Sequence, residues 1–180
     1  MYSDGLYTQK QGISMTPKDF VKRYLPFAKT TEEKTGIDAT FTLAQAALES
    51  GWGERAVGNM FFGVKANPDT TPENKRQLLI TREVLSNPDA KFPVVISKKA
   101  IGNGKYEYRV KDWFRKYDSP EESFSDHAEF FFKYKRYEKA LEVRYNPYRF
   151  AEEIAKAGYA TDPNYAAILK GVIKTVENNM

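Results

Sequence analysis

One glutamate stands at the point where a helical pattern stops. Residues 43–53 read LAQAALESGWG: small and apolar residues lead to Glu49, and two glycines then flank Trp52. A carboxylate in the last turn of a helix faces the partial negative charge of unpaired carbonyls, which disfavours its ionised form. Shielding from water by nearby aromatic rings would raise its pKa further. A carboxyl group that stays protonated near neutral pH can act as a general acid, and cleavage of a glycosidic bond requires such a group.

The two glycines suit the same arrangement. Gly51 can adopt the left-handed conformation that ends a helix, and Gly53 lets the chain turn directly after Trp52. Such a turn would leave open space beside Glu49. The same residues also fit a plainer structure, in which Glu49 is an exposed acid and Gly51 an ordinary cap, because helices commonly end in glycine. The spacing alone leaves both interpretations open.

Composition excludes several other chemistries. The 180-residue chain has no cysteine and a single histidine, His127, so disulfides, thiolate metal sites and histidine-rich metal cages are excluded. His127 lies at helical spacing from Phe124, Ala128 and Phe131, which predicts a structural histidine on an apolar face. The formal charge of +4 is mild and the basic residues are spread along the chain, so no nucleic-acid partner is expected. No apolar run approaches the ~20 residues that a membrane span needs, so we expect no membrane insertion.

The elements that must position Glu49 are marked by proline, glycine and capping residues. Pro26 predicts a kink or break at Leu25 in the first helix. The run QLLITREV predicts a short strand, and two extended runs around Asn103-Gly104 predict a hairpin. These signals indicate two helical blocks that flank a β-rich insertion. Helix starts are expected at Thr16-Pro17, at Asp38 or Thr40, at Ser119-Pro120, at Asn146-Pro147 and at Asp162-Pro163.

The motifs resemble those of one enzyme family. LAQAALESGWG, followed by NMFFGVKA, is similar to the signature of glycoside hydrolase family 73, the peptidoglycan N-acetylglucosaminidases that include the flagellar peptidoglycan hydrolase, autolysins and phage lysins. The resemblance continues in ITREV, VKDWFRKYDSPEESFSDHAEFF and AGYATDPNYAAIL, and covers roughly residues 17–176 in the family's order. It implies an α+β, mainly α, lysozyme-like fold in which a helical domain and a small β-hairpin lobe line a glycan groove. We therefore expect a flexible N-terminal segment at 1–15 and one glucosaminidase domain at 16–180, with the β-lobe at about 67–117.

The resemblance also implies roles for single residues. Glu49 matches the family's general acid, which protonates the leaving oxygen. Glu83 matches the acid of the family's β-lobe and is expected either to activate water or to stabilise a positively charged intermediate formed with the substrate's N-acetyl group. The alternative for Glu83 is an exposed strand acid in a charged stretch. The fallback candidates are Glu73, Asp89 and Glu107.

Five further residues are expected to contact the substrate, namely Tyr159, Phe62, Gly63, Trp52 and Asn59. Tyr159 matches a family tyrosine near the reaction centre, and Phe62 and Gly63 match the groove floor. The segment from Asn59 has one residue more than the family's pattern before Phe-Gly, which leaves the role of Asn59 open. Packing is the alternative for the aromatic residues: Tyr159 can fill a helix connection, and Trp52 can seal a core rather than stack on a sugar ring.

Together these residues predict an endo-acting peptidoglycan hydrolase that cleaves the β-1,4 bond after N-acetylglucosamine and needs neither a metal nor an organic cofactor. Its partner would be peptidoglycan glycan strands, whose anionic character suits a mild positive charge, and we expect a monomer. The alternatives are a lytic transglycosylase of lysozyme-like fold and a non-catalytic glycan-binding module. The bacterial cell wall is the expected site of action, whether the protein is periplasmic, secreted or phage-released. The chain begins without a signal-peptide pattern, so either export uses another route or the signal has been removed.

Overall fold

The computed structural model describes residues 14–180, in which six α-helices and a three-stranded sheet form two lobes. The α+β, mainly α architecture expected from the sequence is confirmed. The expected N-terminal segment, residues 1–15, lies outside the described residues except for its end, where Met15 packs against the helical core. The elements are α1 (Pro17–Thr35), α2 (Ala39–Ser50), β1 (Arg76–Leu85), β2 (Val94–Gly102), β3 (Lys105–Arg115), α3 (Pro120–Lys133), α4 (Glu138–Leu141), α5 (Pro147–Lys156) and α6 (Tyr165–Glu177).

Helix α2, which carries Glu49, is the central helix of the helical lobe. It packs against α1, α5 and α6, and its alanines at 44, 46 and 47 are fully buried. Small side chains let the neighbouring helices approach closely, so that α2 is enclosed over most of its surface. The predicted cap Asp38 is confirmed, because its carboxylate accepts the backbone N–H groups of Thr40 and Phe41. Such a cap stabilises a helix by about 1 kcal/mol.

The first helix does not break at proline. Helix α1 is continuous through Pro26, so a break at Leu25 is not observed. A proline inside a helix removes one hydrogen bond and costs about 3 kcal/mol. Phe20 and Val21 before it and Ala28 after it are all buried in the same core. Packing on both sides of Pro26 therefore keeps one helix where local propensity favours two.

The last helix starts later than its proline indicates. The prediction that α6 opens at Asp162-Pro163 is wrong by about two residues, since the helix begins at Tyr165. Asp162 instead closes a turn: its carboxylate accepts the N–H of Asn164 at 2.8 Å, and its carbonyl accepts the N–H of Tyr165 at 3.1 Å. Aspartate forms such turns readily because its short side chain reaches the backbone two residues ahead.

The three strands form an antiparallel sheet in the order β1-β3-β2. The predicted strand QLLITREV lies within β1, and the predicted hairpin turn is confirmed, with Asn103 and Gly104 both at positive φ. A two-residue turn of this kind matches the twist of paired strands. On β1 the alternate residues Leu79, Thr81 and Glu83 are buried. The side chain of Glu83 therefore lies on the covered face of the sheet.

The segment between α2 and β1 ties the helical lobe to the sheet. The N–H of Arg115 donates to the carbonyl of Val64 at 2.8 Å, and the N–H of Ala66 donates to the carbonyl of Trp113 at 3.0 Å. Farther back, the N–H of Tyr117 donates to the carbonyl of Gly58 at 2.9 Å. These backbone bonds hold the chain that leaves Glu49 along the end of β3.

Candidate active site

Glu49 is the last residue but one of α2, and the chain reverses directly behind it. Gly51 has φ 61° and caps the helix by donating its N–H to the carbonyl of Ala47, as predicted. Ser50 reinforces the turn: its hydroxyl donates to the carbonyl of Ala46 at 2.6 Å and accepts the N–H of Gly53 at 2.9 Å. The turn therefore leaves the carboxyl group of Glu49 at the end of a helix rather than along its side.

The guanidinium group of Arg55 covers this helix end. Its Nη2 donates to the backbone carbonyl of Glu49 at 3.5 Å. A β-carbon added to Gly51 would lie 2.8 Å from Nη1 of the same arginine, so any larger residue would have to displace the guanidinium group. Within residues 14–180 the Nε of Arg55 is buried without a hydrogen-bond partner. A positive charge thus stands where the helix carbonyls carry partial negative charge.

The pKa of the Glu49 carboxyl group is raised above its ordinary value, chiefly because burial disfavours the charged form. Two neighbours oppose this effect. A hydrogen bond from Tyr165 and the positive charge of Arg55 both lower the pKa. The direction agrees with the prediction from sequence, although burial rather than the helix end is the main cause. Burial thus shifts Glu49 toward the protonated form, which is the form that a proton donor needs.

Tyr165 links Glu49 to a buried histidine. The hydroxyl of Tyr165 donates to Oε1 of Glu49 at 3.3 Å and accepts from Nε2 of Gln45 at 2.9 Å. Oε1 of Gln45 in turn lies 2.5 Å from Nε2 of His127. Burial lowers the pKa of His127 to about 3, so this imidazole is neutral at any physiological pH. His127 is packed inside the core, as its apolar helix face predicts, with Phe124, Ala128 and Phe131 buried beside it.

Two of the predicted substrate-binding residues surround this chain of hydrogen bonds. The ring of Phe62 stacks on His127, with centroids 3.7 Å apart and planes 11° apart. Tyr159 lies beside two members of this hydrogen-bond chain, with its ring centroid 6.1 Å from that of His127 and 5.4 Å from that of Tyr165. Gly63 follows Phe62 at φ 62°. The structure therefore brings Phe62, Tyr159 and Glu49 into one region.

Trp52 and Asn59 make contacts that suit packing. The ring of Trp52 is partly buried and meets Phe20 edge-on, with centroids 5.5 Å apart. The side-chain amide of Asn59 donates to the backbone carbonyl of Tyr117 at 3.1 Å. Both residues thus stabilise the segment that follows α2. A sugar contact from either one stays a prediction.

Glu83 is held by a lysine that also holds a second acid. Nζ of Lys65 lies 2.7 Å from Oε1 of Glu83 and 2.6 Å from Oδ2 of Asp112. The hydroxyl of Thr81 lies 3.4 Å from the same oxygen of Glu83, and the ammonium group stands 4.7 Å over the ring centroid of Phe114. Glu83 is only 7% exposed, so the alternative of an exposed strand acid is wrong. Lys65 lies three residues after Phe62, which joins Glu83 to the segment at the groove.

The fallback acids stand in less suitable places. Glu73 and Asp89 are exposed. Glu107 is paired with Arg82, whose Nε lies 2.7 Å from its Oε2. Among these three acids none is enclosed as Glu83 is. Among the described residues no group of three or more His, Cys, Asp or Glu side chains could hold a metal ion.

A groove runs along α3 between the helical lobe and the sheet lobe. Two adjoining cavities, of about 550 and 400 Å³, share Arg115, Asp126 and Glu129. Val64 and Phe130 line the smaller one, and the ring of Phe130 lies nearly parallel to His127 with centroids 6.3 Å apart. Glu49 lines neither cavity. The groove thus reaches the aromatic cluster beside Glu49 without enclosing the acid itself.

Sequence reasoning missed five side chains of this site, the first of which is Arg55 behind Glu49. Gln45 precedes Glu49 by four residues on the same helix, a spacing that places both on one face. Tyr165 lies inside AGYATDPNYAAIL, one of the segments that carry the family resemblance. Lys65 and Asp112 also lie in such segments. The types of the other four residues were visible, but their pairing depends on contacts between residues 47 to 120 positions apart.

Comparison with known proteins gives one consistent result. Residues 25–178 match the family model described as mannosyl-glycoprotein endo-beta-N-acetylglucosaminidase. The peptidoglycan hydrolase FlgJ of Pseudomonas aeruginosa is 34% identical over 155 residues, which are 82% of this chain and 34% of that protein. The exo-glucosaminidase LytG of Bacillus subtilis is 29% identical over 163 residues, which are 86% of this chain and 50% of that protein. The chain therefore spans between a third and a half of these relatives.

A solved structure matches over nearly its whole length. The glycoside hydrolase domain of FlgJ from Salmonella typhimurium superposes with a TM-score of 0.65 at 31% identity, covering 91% of this chain and 90% of that one. Helices and a small sheet lobe are thus arranged in both proteins in the same way. Within residues 14–180 we find no helix of the length and apolar character that crossing a membrane takes.

Proposed function

The chain belongs to the glucosaminidase family, and from that premise we propose that it is a glycoside hydrolase that cleaves peptidoglycan at the β-1,4 bond after N-acetylglucosamine. Its relatives FlgJ and LytG carry the names of a peptidoglycan hydrolase and a glucosaminidase. The single observation that carries the proposed mechanism is the position of Glu49, a carboxyl group of raised pKa at a helix end beside an aromatic cluster.

Glu49 is the general acid of this mechanism. As the bond between the sugar C1 and the bridging oxygen breaks, the proton of Glu49 passes to that oxygen, which leaves as a hydroxyl group. The carboxylate that remains is stabilised by the hydrogen bond from Tyr165 and by the charge of Arg55. Burial favours protonated Glu49 before the proton transfer, and Tyr165 and Arg55 favour its carboxylate afterwards. Both protonation states are therefore accessible.

Glu83 assists on the other side of the reaction. It either takes a proton from the attacking water or stabilises the positive charge that develops when the substrate's acetamido oxygen closes on C1. The ammonium group of Lys65 fixes the position of its carboxylate. The two routes give opposite anomers: direct attack by water inverts C1, whereas acetamido participation retains its configuration. Proton NMR of fresh products separates them, and a Glu83→Gln variant should lose most activity in either case.

The floor under the sugar beside the cleaved bond is Tyr159, which is partly exposed. Phe62 and Gly63 are buried and support this floor from beneath, with the ring of Phe62 stacked on His127. Aromatic faces suit the apolar C–H face of a pyranose.

Phe130, whose ring centroid lies 6.3 Å from that of Tyr159, lines the groove that also contains Arg115 and Asp126. The glycan strand is the partner, the bacterial wall is the place of action, and the enzyme acts as a monomer. Size-exclusion chromatography with light scattering checks the last point.

Digestion of purified cell wall by the wild type and by Glu49→Gln tests the function. We expect reducing N-acetylglucosamine ends from the wild type and at least a 100-fold loss in the variant. Glu33→Gln is the matched control, since Glu33 is an exposed acid on α1. Anhydro-muramic ends would indicate a lytic transglycosylase. Binding to the wall without cleavage by either protein would indicate a glycan-binding module.

Product length separates endo-acting from exo-acting cleavage. An endo-acting enzyme shortens long glycan strands early, whereas an exo-acting one, as the name of the Bacillus relative states for that protein, first releases small products. We expect early shortening, because two adjoining cavities lie along α3 and together give a glycan strand room for more than one sugar. Release of small fragments alone from the first minutes onward would contradict this.

A further inference from the structure

Three residues connect the carboxyl group of Glu49 to the centre of the helical lobe. Gln45 and His127 are 0% and 2% exposed, and Tyr165 is 8% exposed. They come from α2, α3 and α6, so their contacts are made only when all three helices are packed. The chain runs from Glu49 through Tyr165 and Gln45 to His127. Buried polar groups that are joined in this way hold each other in fixed orientations.

The chemistry of each group fixes the direction of the chain. The amide nitrogen of Gln45 only donates, so the oxygen of Tyr165 accepts from it and the single O–H proton of Tyr165 is left for Glu49. The amide oxygen of Gln45 only accepts, so the proton of neutral His127 resides on Nε2. Every donor in the chain therefore points toward Glu49.

We propose that Tyr165, Gln45 and His127 are positioning residues that keep Oε1 of Glu49 an acceptor, so that the acid carries and delivers its proton on Oε2. The inference rests on the proposed role of Glu49 as general acid. In the step itself the Oε2–H bond breaks, an O–H bond forms on the leaving oxygen and the C1–O bond breaks. Tyr165 keeps its proton throughout, because burial and the nearby Glu49 hold its pKa well above the ordinary value. No proton moves along the chain.

The groups around the hydrogen-bond chain determine how its removal should change the pKa of Glu49. Tyr165 acts on Glu49 through a hydrogen bond, and Arg55, from the segment that follows α2, acts on it through its positive charge. Tyr137 acts weakly on Tyr165, and the rings of Phe62, Phe131 and Tyr159 enclose His127. Without the hydroxyl of Tyr165 the carboxylate of Glu49 loses a donor, which raises its pKa further. Since a general acid must be protonated, activity then persists to higher pH while its maximum falls.

The test is the pH dependence of kcat/KM for Tyr165→Phe on soluble glycan strands freed of their peptides. We expect the alkaline limb to move up by about 0.5 to 1 pH unit and kcat to fall about tenfold. His127→Phe keeps the stack on Phe62 but frees the amide of Gln45 to turn, so its limb should move in the same direction by less. In the variant that combines both changes, the alkaline limb should lie at the same pH as in Tyr165→Phe alone, because the hydrogen bond to Glu49 is already absent.

Tyr148→Phe is the matched control. Its hydroxyl also donates to a carboxylate, that of Glu177 at 2.7 Å, but at the surface, and the limb should not move. If the alkaline limb of the pH profile does not move in Tyr165→Phe while Glu49→Gln is inactive, the proposed role of the hydrogen-bond chain is wrong and Glu49 remains the general acid. An active Glu49→Gln would overturn the proposed function instead. If Tyr165→Phe does not fold, the limb of His127→Phe decides the question alone.

Discussion

Glu83 and Asp112 share one ammonium group, that of Lys65, whose Nζ lies 2.7 Å from the first carboxylate and 2.6 Å from the second. Glu83 comes from β1 and Asp112 from β3, and Lys65 comes from the segment that leads away from Glu49. One positive charge thus holds two strand acids on the covered face of the sheet. The contact also joins the proposed second acid to the part of the chain that carries the groove floor.

Removal of this lysine should therefore affect both folding and catalysis. Lys65→Met keeps much of the stem but leaves two partly buried carboxylates without their cation, at a cost of about 2 kcal/mol in the free energy of unfolding. If Glu83 takes part in the reaction, kcat should fall at least tenfold because its position is lost. Urea unfolding and steady-state kinetics measure the two effects. Asp112→Asn, which keeps the pair between Lys65 and Glu83, is the control and should retain most of kcat.

The turn behind Glu49 makes a second prediction. Gly51→Ala should destabilise the protein by about 2 kcal/mol, because alanine is strained at φ 61° and its β-carbon would lie 2.8 Å from Arg55. Gly104→Ala is the matched control: its φ of 67° is similar, but a β-carbon there meets nothing within 4 Å. Thermal unfolding should show the larger loss for Gly51→Ala, and wall hydrolysis should fall only in that variant. Equal losses of stability in the two variants would show that the guanidinium group of Arg55 moves aside without destabilising the protein.

A third prediction follows from the raised pKa of Glu49 and concerns how the free energy of unfolding depends on pH. A folded pKa above the unfolded value means that the native state binds this proton more tightly. The resulting stability is present below the unfolded pKa and is lost as the pH rises through the folded value. Glu49→Gln cannot ionise, so it should be more stable than the wild type at pH 7 and no more stable at pH 4. Urea unfolding at both values measures this, with Glu33→Gln as the control that should not differ.

The sequence predicted most of the element boundaries because they depend on local signals, whereas the role of Glu49 as the acid came from the family resemblance and stays a prediction. Asp38, Gly51 and the Asn103-Gly104 turn act on their own neighbours, and the structure places each as its type suggests. The continuity of α1 through Pro26 was not predictable in this way, since the core on both sides of the proline decides it. The same holds for Tyr165 and Lys65. Each acts across a gap that only the packed fold closes.

The sheet lobe has a surplus of basic over acidic residues, which supports a last prediction about the wall. Residues 76–115 contain nine Lys and Arg against four Asp and Glu, so this lobe carries more positive charge than the whole chain's net +4. β2 is exposed along its whole length. An anionic polymer should therefore be attracted to the sheet lobe at low salt, where charges are poorly screened.

Reversal of two charges in this lobe should weaken binding to purified wall. In Lys99→Glu/Lys105→Glu both altered residues are exposed, and we expect a several-fold loss of bound protein at 50 mM salt that disappears at about 0.5 M. Hydrolysis of short, uncharged oligosaccharides should be unchanged, since neither residue lies near Glu49 or its aromatic cluster. Lys18→Glu/Lys22→Glu on α1 is the control, because both lysines are exposed, lie on the helical lobe and give the same change in net charge. An equal loss in that control would show that the wall responds to net charge alone, not to the sheet lobe.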